Sequence, residues 1–341
     1  MEKTHAHYTE LCFLKELTPG FAFDESRESF GEWKQKSRRK LRLLLGLENY
    51  FCDDLAPEET SVCRRDGFTE IRFSFLSEKN ARVPCVLLLP EQKAEEKPPL
   101  MICLQGHGTG MHISLGQAKY EPDEKKIQTG DRDFAVQCVR RGIAALAIEQ
   151  RCFGERGGNP RPDCHGAALT ALLTGRTLIG GRVWDIMRAI DVIEKLYSDR
   201  CDCDRIWCMG NSGGGTATIY AFALEDRIKA AIPSCAFCSF EASIGSLPHC
   251  ECNYVPGIAK YFDMAELVGM AAPKPVVIVS GMTDGIFPIE GAESEFRRLE
   301  RLYAASGAKG KAVHVKGSEG HRFYASQAWE AFDLLTGRNG A

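Results

Sequence analysis

The sequence predicts an α/β fold whose mainly parallel sheet is covered by helices on both faces. Short apolar runs that suit buried strands recur along the chain, and stretches suited to helices separate them. The composition is ordinary for a globular protein, with 44% hydrophobic and 26% charged residues among 341. No internal repeat or low-complexity segment interrupts this pattern.

The N-terminal part predicts an extension of the sheet. Residues 28–47 have the apolar periodicity of a helix, and residues 68–75 and 83–89 suit two strands. No Ser/Gly-rich linker follows them. We therefore predict a helical and β-hairpin extension over residues 1–80, packed on a main α/β domain over residues 81–341.

Strands and helices alternate in the remainder, as in parallel sheets with helical crossovers. The predicted strands cover 100–104, 143–148, 205–209, 228–233, 275–280 and 312–315. The predicted helices cover 131–141, 179–198, 212–224, 289–305 and 322–336. Two less regular segments, 150–165 and 235–270, are expected to be insertions that shape a pocket.

Charge and segment composition exclude several functions. The net charge is −3, so no basic surplus indicates nucleic acid or an anionic membrane as partner. The start of the chain lacks the apolar run of a signal peptide, and no stretch reaches the roughly 18 apolar residues of a membrane span. We expect a cytoplasmic protein with a small-molecule substrate, and the sequence leaves a homo-oligomer open.

A nucleophile motif stands between a predicted strand and a predicted helix. Gly210-Asn211-Ser212-Gly213-Gly214 matches G-x-S-x-G, which carries meaning when a strand precedes it and a helix follows. Both are predicted here. Ser212 would lie at the helix N-terminus, where the N–H of Gly213 can stabilise a developing negative charge.

A serine nucleophile requires a base and an orienting acid, which follow it in the chain in this type of fold. Asp284 follows the strand at 275–280, and His321 lies on a glycine-bearing loop after the strand at 312–315. We predict these two as acid and base. The rivals are less well placed, because His314 lies within a strand, His249 lies in an irregular segment, and Asp263 and Glu290 do not directly follow an apolar strand.

A second glycine-rich loop follows the strand at 100–104. Its sequence is Gln105-Gly106-His107-Gly108-Thr109-Gly110. Such a loop can bring main-chain N–H groups close to a substrate oxygen. We expect the second oxyanion donor within His107, Gly108 and Thr109, and we interpret the His107 side chain as one that shapes the loop.

Together these motifs resemble the bacterial acetyl xylan esterase-like branch of the α/β-hydrolases, a superfamily that includes the dienelactone hydrolases. The resemblance covers roughly residues 30–336 and depends on six segments, which are 43–47, 106–108, 148–156, 210–214, 280–289 and 319–324. It implies an α/β-hydrolase fold with Ser212 as nucleophile, Asp284 as acid and His321 as base.

The resemblance also implies a substrate class, an acetyl ester of a carbohydrate or a related small molecule. It implies that the loop from Arg151 to Arg156 lies near the pocket, which makes Arg151 a candidate substrate contact. The aromatic candidates for substrate contact are Phe237, Tyr254 and Phe287. Two departures from family seven carbohydrate esterases leave the substrate open. Gly213 follows the nucleophile where those enzymes have Gln, and Gln150-Arg151 replaces their Arg-Gly-Gln element.

Three other functions stay open beside the esterase. A peptidase of this fold would usually carry a larger N-terminal domain, and a dienelactone-type hydrolase would typically use a cysteine nucleophile. The third is a catalytically silent binding or zinc-stabilised protein of the same fold. The candidates for all three triad positions argue against it.

The cysteines form two further motifs. Cys235 and Cys238 form a C-x-x-C, and Cys250 and Cys252 form a C-x-C after His249. The chain has 15 cysteines and no recognisable export signal, so we expect mostly reduced thiols. Zinc and redox sites use such residues, but a second C-x-x-C at finger-like spacing is missing. We predict structural or pocket-lining thiols, without a metal or other cofactor.

Overall fold

A computed structural model of the chain describes residues 4–91, 96–157 and 163–338. In these ranges nine strands form one sheet. The strands are β1 (Glu58–Arg65), β2 (Phe68–Glu78), β3 (Ala81–Pro90), β4 (Pro99–Leu104), β5 (Ala144–Ile148), β6 (Asp202–Asn211), β7 (Ile228–Ser234), β8 (Val276–Gly281) and β9 (Ala312–Gly317).

The α-helices of the same ranges surround this sheet. They are α1 (Ala6–Glu16), α2 (Phe30–Leu45), α3 (Glu121–Gln128), α4 (Phe134–Arg140), α5 (His165–Leu173), α6 (Leu178–Leu196), α7 (Gly213–Leu224), α8 (Met264–Gly269), α9 (Ile289–Ala305) and α10 (Ala325–Thr336). None of them is long and apolar enough to cross a lipid bilayer.

The strand order is β1-β2-β3-β5-β4-β6-β7-β8-β9. β1, β2, β3 and β5 pair with antiparallel neighbours, and the pairs from β5–β4 to β8–β9 are parallel. Strand β5 lies between β3 and β4 in this order, although β4 precedes it in the chain. As a result, β6 pairs with β4, and β7, β8 and β9 follow in sequence order. The prediction of a mostly parallel sheet between helices is confirmed.

The central strands are buried because both faces of the sheet are covered. All six residues of β4 are buried, as are all five of β5 and all six of β8. On one face, α2, α6, α7 and α8 contribute apolar side chains such as Trp33, Ile186 and Leu267. On the other face, α4 and α10 contribute Phe134 and Trp329. Burial on both faces explains why these strands are continuous apolar runs in the sequence.

The N-terminal extension shares the sheet with the main domain. The division that we predicted after residue 80 falls in the short turn between β2 and β3, which pair along nearly their whole length. Helix α2 begins at a capping box between Ser29 and Glu32 and ends at Gly46, whose φ is 69°. The extension therefore adds two antiparallel strands and a packed helix to one continuous sheet.

Four described α-helices and one described strand lie outside the sequence prediction: α1, α3, α5, α8 and β1. Strand β1 is an edge strand with mostly exposed side chains, and its pairing with β2 shifts register between Glu59 and Ser61. Such a strand lacks the apolar alternation by which strands are recognised. Of the predicted insertion at 150–165, residues 158–162 lie outside the described ranges.

Candidate active site

Ser212 occupies the tight turn between β6 and α7. Its φ of 56° and ψ of −124° lie in a region that residues with a side chain rarely adopt. The flanking glycines make the turn sterically feasible. A Cβ on Gly214 would lie 2.2 Å from the carbonyl oxygen of Leu104, and one on Gly210 would lie 2.4 Å from the carbonyl oxygen of Gly214. The turn is further held by the Ser212 N–H, which donates to the Ser234 carbonyl at 2.8 Å.

Asp284 and His321 form a hydrogen-bonded pair. His321 Nδ1 lies 2.7 Å from Asp284 Oδ2, and the carboxylate side chain is fully buried. Asp284 Oδ1 accepts hydrogen bonds from the N–H groups of Ile286 and Phe287 at 3.0 and 3.1 Å. Burial alone would raise the pKa of Asp284, but the bonds from His321 and the two N–H groups outweigh it and lower the pKa. The ionised carboxylate holds the imidazole through Nδ1 and leaves Nε2 without a bond to Asp284.

The sheet places these three residues on one edge. Ser212 follows β6, Asp284 follows β8, and His321 follows β9. Residues at the carboxyl ends of parallel strands meet at the same edge of a sheet. In the described residues no hydrogen bond joins the Ser212 hydroxyl directly to His321. The arrangement places the three residues that the sequence suggested at the same edge of the sheet, and the hydrogen bond between Asp284 and His321 is already formed.

Aromatic and charged neighbours position His321. The Phe287 ring stacks on the imidazole with centroids 5.9 Å apart, and His249 contacts Phe287 edge-on at 5.1 Å. Buried Arg132 donates from Nη2 to the His321 carbonyl at 3.3 Å. His249 itself lies 3.2 Å from the Ile286 carbonyl. His249 is therefore a neighbour of the acid-bearing loop, whereas His321 is the imidazole paired with Asp284.

The glycine-rich loop after β4 lies against Ser212. A Cβ on Gly106 would lie 2.8 Å from the Ser212 Cβ, and a Cβ on Gly213 would lie 2.8 Å from His107 Nδ1. Within the described ranges the N–H groups of His107, Gly108 and Gly213 have no hydrogen-bond acceptor. These groups are available for a substrate oxygen beside Ser212.

A buried carboxylate anchors the far end of this loop. Asp123 is fully buried and accepts hydrogen bonds from the Thr109 hydroxyl and from the N–H groups of Lys119 and Tyr120. Its Oδ2 also lies 2.9 Å from His112 Nε2. The Thr109 side chain therefore fixes the loop. Sequence reasoning missed this network, because nothing local distinguishes Asp123 from an exposed helical acid.

Glu149 anchors the loop from the other side. Its carboxylate accepts from the N–H groups of Met111 and Glu155 at 3.1 and 3.2 Å. Burial raises the pKa of Glu149 to about 7, although these two hydrogen bonds oppose the shift. Glu149 thus links the glycine-rich loop to the segment that begins at residue 150.

The four candidate substrate contacts have different surroundings. Phe287 lies beside His321, and Tyr254 is 45% exposed. Phe237 is only 1% exposed and belongs to the apolar core, which leaves it no surface to offer a ligand.

The Arg151 guanidinium is engaged by carboxylates. It donates to Asp185 at 2.8 and 2.9 Å and to Glu78 at 2.7 Å. Its side chain is largely buried at this network. These contacts indicate that Arg151 holds its loop against α6 and β2. It does not favour the direct substrate contact that the sequence suggested.

The two cysteine motifs of the sequence lie at different places in the structure. Cys235 and Cys238 donate to backbone carbonyls of Arg322 and Pro288, respectively. A different group of side chains meets next to the glycine-rich loop, and we call it the thiol–imidazole cluster: His107, Cys164, Cys250 and Cys252. The sequence gives no sign that His107 and Cys164 lie near the later cysteines, because these residues are far apart in the chain.

Comparison with known proteins identifies relatives of this chain. Residues 66–266 match the family described as Acetyl xylan esterase (AXE1). A Bacillus subtilis (strain 168) protein named "Putative hydrolase YtaP" is 28% identical over 245 residues, which cover 70% of this chain and 78% of that protein.

Solved structures show the same fold. A "putative acetyl xylan esterase" from Bacteroides fragilis NCTC 9343 has a TM-score of 0.75 at 18% identity, covering 96% of this chain and 85% of that one. Acetyl xylan esterase 1 from Thermoanaerobacterium sp. JW/SL YS485 has a TM-score of 0.61 at 17% identity, covering 97% and 99%. Glucuronoyl esterase from Solibacter usitatus has a TM-score of 0.67 at 15% identity, covering 96% and 100%. The predicted α/β-hydrolase fold is confirmed.

Proposed function

The chain belongs to the acetyl xylan esterase family and is a carboxylic ester hydrolase, and we propose that it removes acetyl groups from carbohydrates with a triad of Ser212, His321 and Asp284. One observation carries this proposal. A serine on a strained strand-to-helix turn shares a sheet edge with an imidazole that is already paired with a buried carboxylate.

In the proposed reaction, the Ser212 hydroxyl attacks the acyl carbon while His321 Nε2 takes its proton. The carbonyl π electrons move to the oxygen, which accepts hydrogen bonds from Gly213 N–H and from an N–H within residues 107–109. When the intermediate collapses, the proton on His321 passes to the leaving alcohol and an acyl-serine remains. Water then repeats the same sequence and releases acetate.

Asp284 stabilises the imidazolium that forms in each half of the reaction. It stays ionised, because its pKa is lowered by the hydrogen bonds that it accepts. Its role is to orient His321 and to balance its charge, without taking a proton itself.

The nucleophile is tested by hydrolysis of p-nitrophenyl acetate. We expect Ser212→Ala to lower kcat by on the order of 10³- to 10⁶-fold, while a fluorophosphonate probe labels the wild type at Ser212 and leaves the variant unlabelled. Ser318→Ala is the matched control, because Ser318 is exposed on the loop that carries His321. Unchanged turnover in Ser212→Ala would remove this residue from the mechanism.

The substrate class is tested with a panel of esters. Acetylated xylo-oligosaccharides should be cleaved with a higher kcat/KM than either methyl esters of sugar acids or glucuronoyl esters, in which glucuronic acid is the acyl group. The two alternatives follow from similar solved structures named as a methylesterase and as glucuronoyl esterases. A preference for either alternative would overturn the acetyl assignment and leave the triad untouched.

A further inference from the structure

The thiol–imidazole cluster assembles from three separate parts of the chain. His107 comes from the glycine-rich loop after β4, Cys164 immediately precedes α5, and Cys250 and Cys252 come from the segment before α8. The four ligand-type atoms all lie within 4.8 Å of one another. His107 Nε2 lies 3.2 Å from Cys252 Sγ. Such convergence of three sulfurs and one nitrogen is the donor set of a Cys₃His site.

These spacings fit a tetrahedral zinc ion. With Zn–S bonds of about 2.3 Å and Zn–N bonds of about 2.0 Å, neighbouring ligand atoms lie roughly 3.5 to 3.8 Å apart. The separations, which reach at most 4.8 Å, therefore need to change by about 1 Å or less to hold an ion. Two of its sulfurs are almost completely buried, those of Cys164 and Cys252, while His107 and Cys250 are half-buried.

A buried cation next to the cluster supplies an independent observation. Arg182 is only 1% exposed, and its guanidinium donates to Cys252 Sγ at 3.3 Å and to Cys164 Sγ at 3.4 Å. Its remaining bond goes to the Arg151 carbonyl at 3.0 Å. No carboxylate pairs with Arg182 in the ranges that the structure covers. A buried guanidinium without a negative partner is strongly unfavourable.

Charge balance at Arg182 is consistent with a metal. Three thiolates and a neutral imidazole around Zn²⁺ leave a net charge of −1, and the Arg182 guanidinium offsets it. Three protonated thiols would leave Arg182 uncompensated, one thiolate would offset it without a metal, and three thiolates without a metal would crowd negative charge in a buried place. With zinc, all three thiolates and the arginine are compensated together, and the convergence of the four ligand atoms favours this arrangement.

We propose that His107, Cys164, Cys250 and Cys252 bind one Zn²⁺ ion in a structural site beside the active site. Binding would release the three thiol protons to solvent. Four protein ligands close the coordination sphere, so the ion would have no open position for substrate. Because His107 also lies against Gly213, the ion would hold the glycine-rich loop at the nucleophile.

The test is the metal content of the protein, which does not depend on esterase activity. Tag-free protein, expressed without added metal and purified without chelator, should contain about one zinc per chain by elemental mass spectrometry. Cys250→Ala and Cys252→Ala should lose it. Cys138→Ala is the matched control, because Cys138 is a buried cysteine of α4 away from the cluster, and it should keep its zinc.

A second measurement does not require the variants to fold equally well. Exchange of cobalt for zinc in the wild type should produce the intense visible absorption of tetrahedral thiolate coordination. Zinc-free wild-type protein, or a disulfide between cluster cysteines in the intact mass, would overturn the proposal. Zinc retained by both ligand variants would do the same. Failure of the proposed function would appear instead as turnover that is independent of Ser212.

Discussion

Asp284 combines three hydrogen bonds in one buried carboxylate. It binds His321 through one oxygen and two backbone N–H groups through the other. The backbone bonds fix the carboxylate before any substrate arrives, so the imidazole is held in one tautomer. An amide at this position could keep the backbone bonds but would present the wrong partner to Nδ1.

We therefore expect Asp284→Asn to fold and to lose activity. The decrease in kcat for p-nitrophenyl acetate should be on the order of 10⁴-fold, as for the same change in other triads. Glu290→Gln is the control, since Glu290 is an exposed acid in α9. Equal loss in both variants, or loss in Glu290→Gln alone, would contradict the assignment of the acid.

Because of Glu149, we expect the free energy of unfolding to depend on pH. Its pKa rises from an ordinary value of 4.5 to about 7 in the folded protein. Between these values the folded state holds a proton that the unfolded state has lost, so the contribution of Glu149 to stability decreases as pH rises through this window. The full change is on the order of 3 kcal/mol.

Glu149→Gln should remove this decrease. The free energy of unfolding of the variant, minus that of the wild type, should rise between pH 4.5 and 7 and become constant above it. Urea titrations at a series of pH values measure the difference, and exposed Glu290→Gln should leave the wild-type curve unchanged. Parallel curves for Glu149→Gln and wild type would show that Glu149 does not titrate as proposed.

At the scale of elements, the site depends on how closely α7 approaches β4. Gly214 allows this approach, because a Cβ there would overlap the carbonyl oxygen of Leu104 in the strand. The turn at Ser212 and the glycine-rich loop both depend on the same contact. A backbone carbonyl within a central strand cannot move aside as a flexible side chain could.

Gly214→Ala should consequently destabilise the protein by about 3 kcal/mol or more in urea unfolding. Gly166→Ala is the matched control in α5, where a Cβ would meet nothing within 4 Å. That change should be neutral or stabilising by up to about 0.5 kcal/mol. Similar stability of the two variants would mean that α7 can withdraw from β4 at little cost.

The individual elements show what the sequence can and cannot predict. β4, β6 and α7 can be predicted because buried strands and helices have characteristic apolar patterns, and Ser212 lies between β6 and α7. β1 cannot be predicted in this way, because an exposed edge strand has polar side chains on both faces. The thiol–imidazole cluster and the Asp123 network were missed, since they depend on contacts between residues far apart in the chain.

At the scale of the whole molecule, one sheet joins the extension to the main domain. β2 belongs to the extension and pairs with β3, which in turn pairs with β5. Trp33 of α2 is fully buried in the same apolar cluster as the side chains of α6 and α7. Unfolding of the extension alone would expose this cluster to water.

We expect the molecule to unfold in one cooperative transition. A variant that retains only Trp33 reports on the extension, and one that retains only Trp329 reports on α10 in the main domain. In each variant the fluorescence midpoint in urea should coincide with the midpoint from far-ultraviolet circular dichroism. An earlier fluorescence transition for the Trp33 variant would instead define the extension as a separate folding unit.

The edge strand β1 has a consequence for self-association. An open edge presents unpaired N–H and C=O groups, onto which another chain can add a strand and begin an aggregate. Here the edge bears charged side chains such as Glu58, Arg64 and Arg65, and its ladder is broken between Glu59 and Ser61. A second molecule that paired parallel and in register would place like charges opposite each other, and in either orientation it would have to match an interrupted register. The polar side chains that kept β1 from being predicted, together with this irregular register, thus disfavour the growth of filaments.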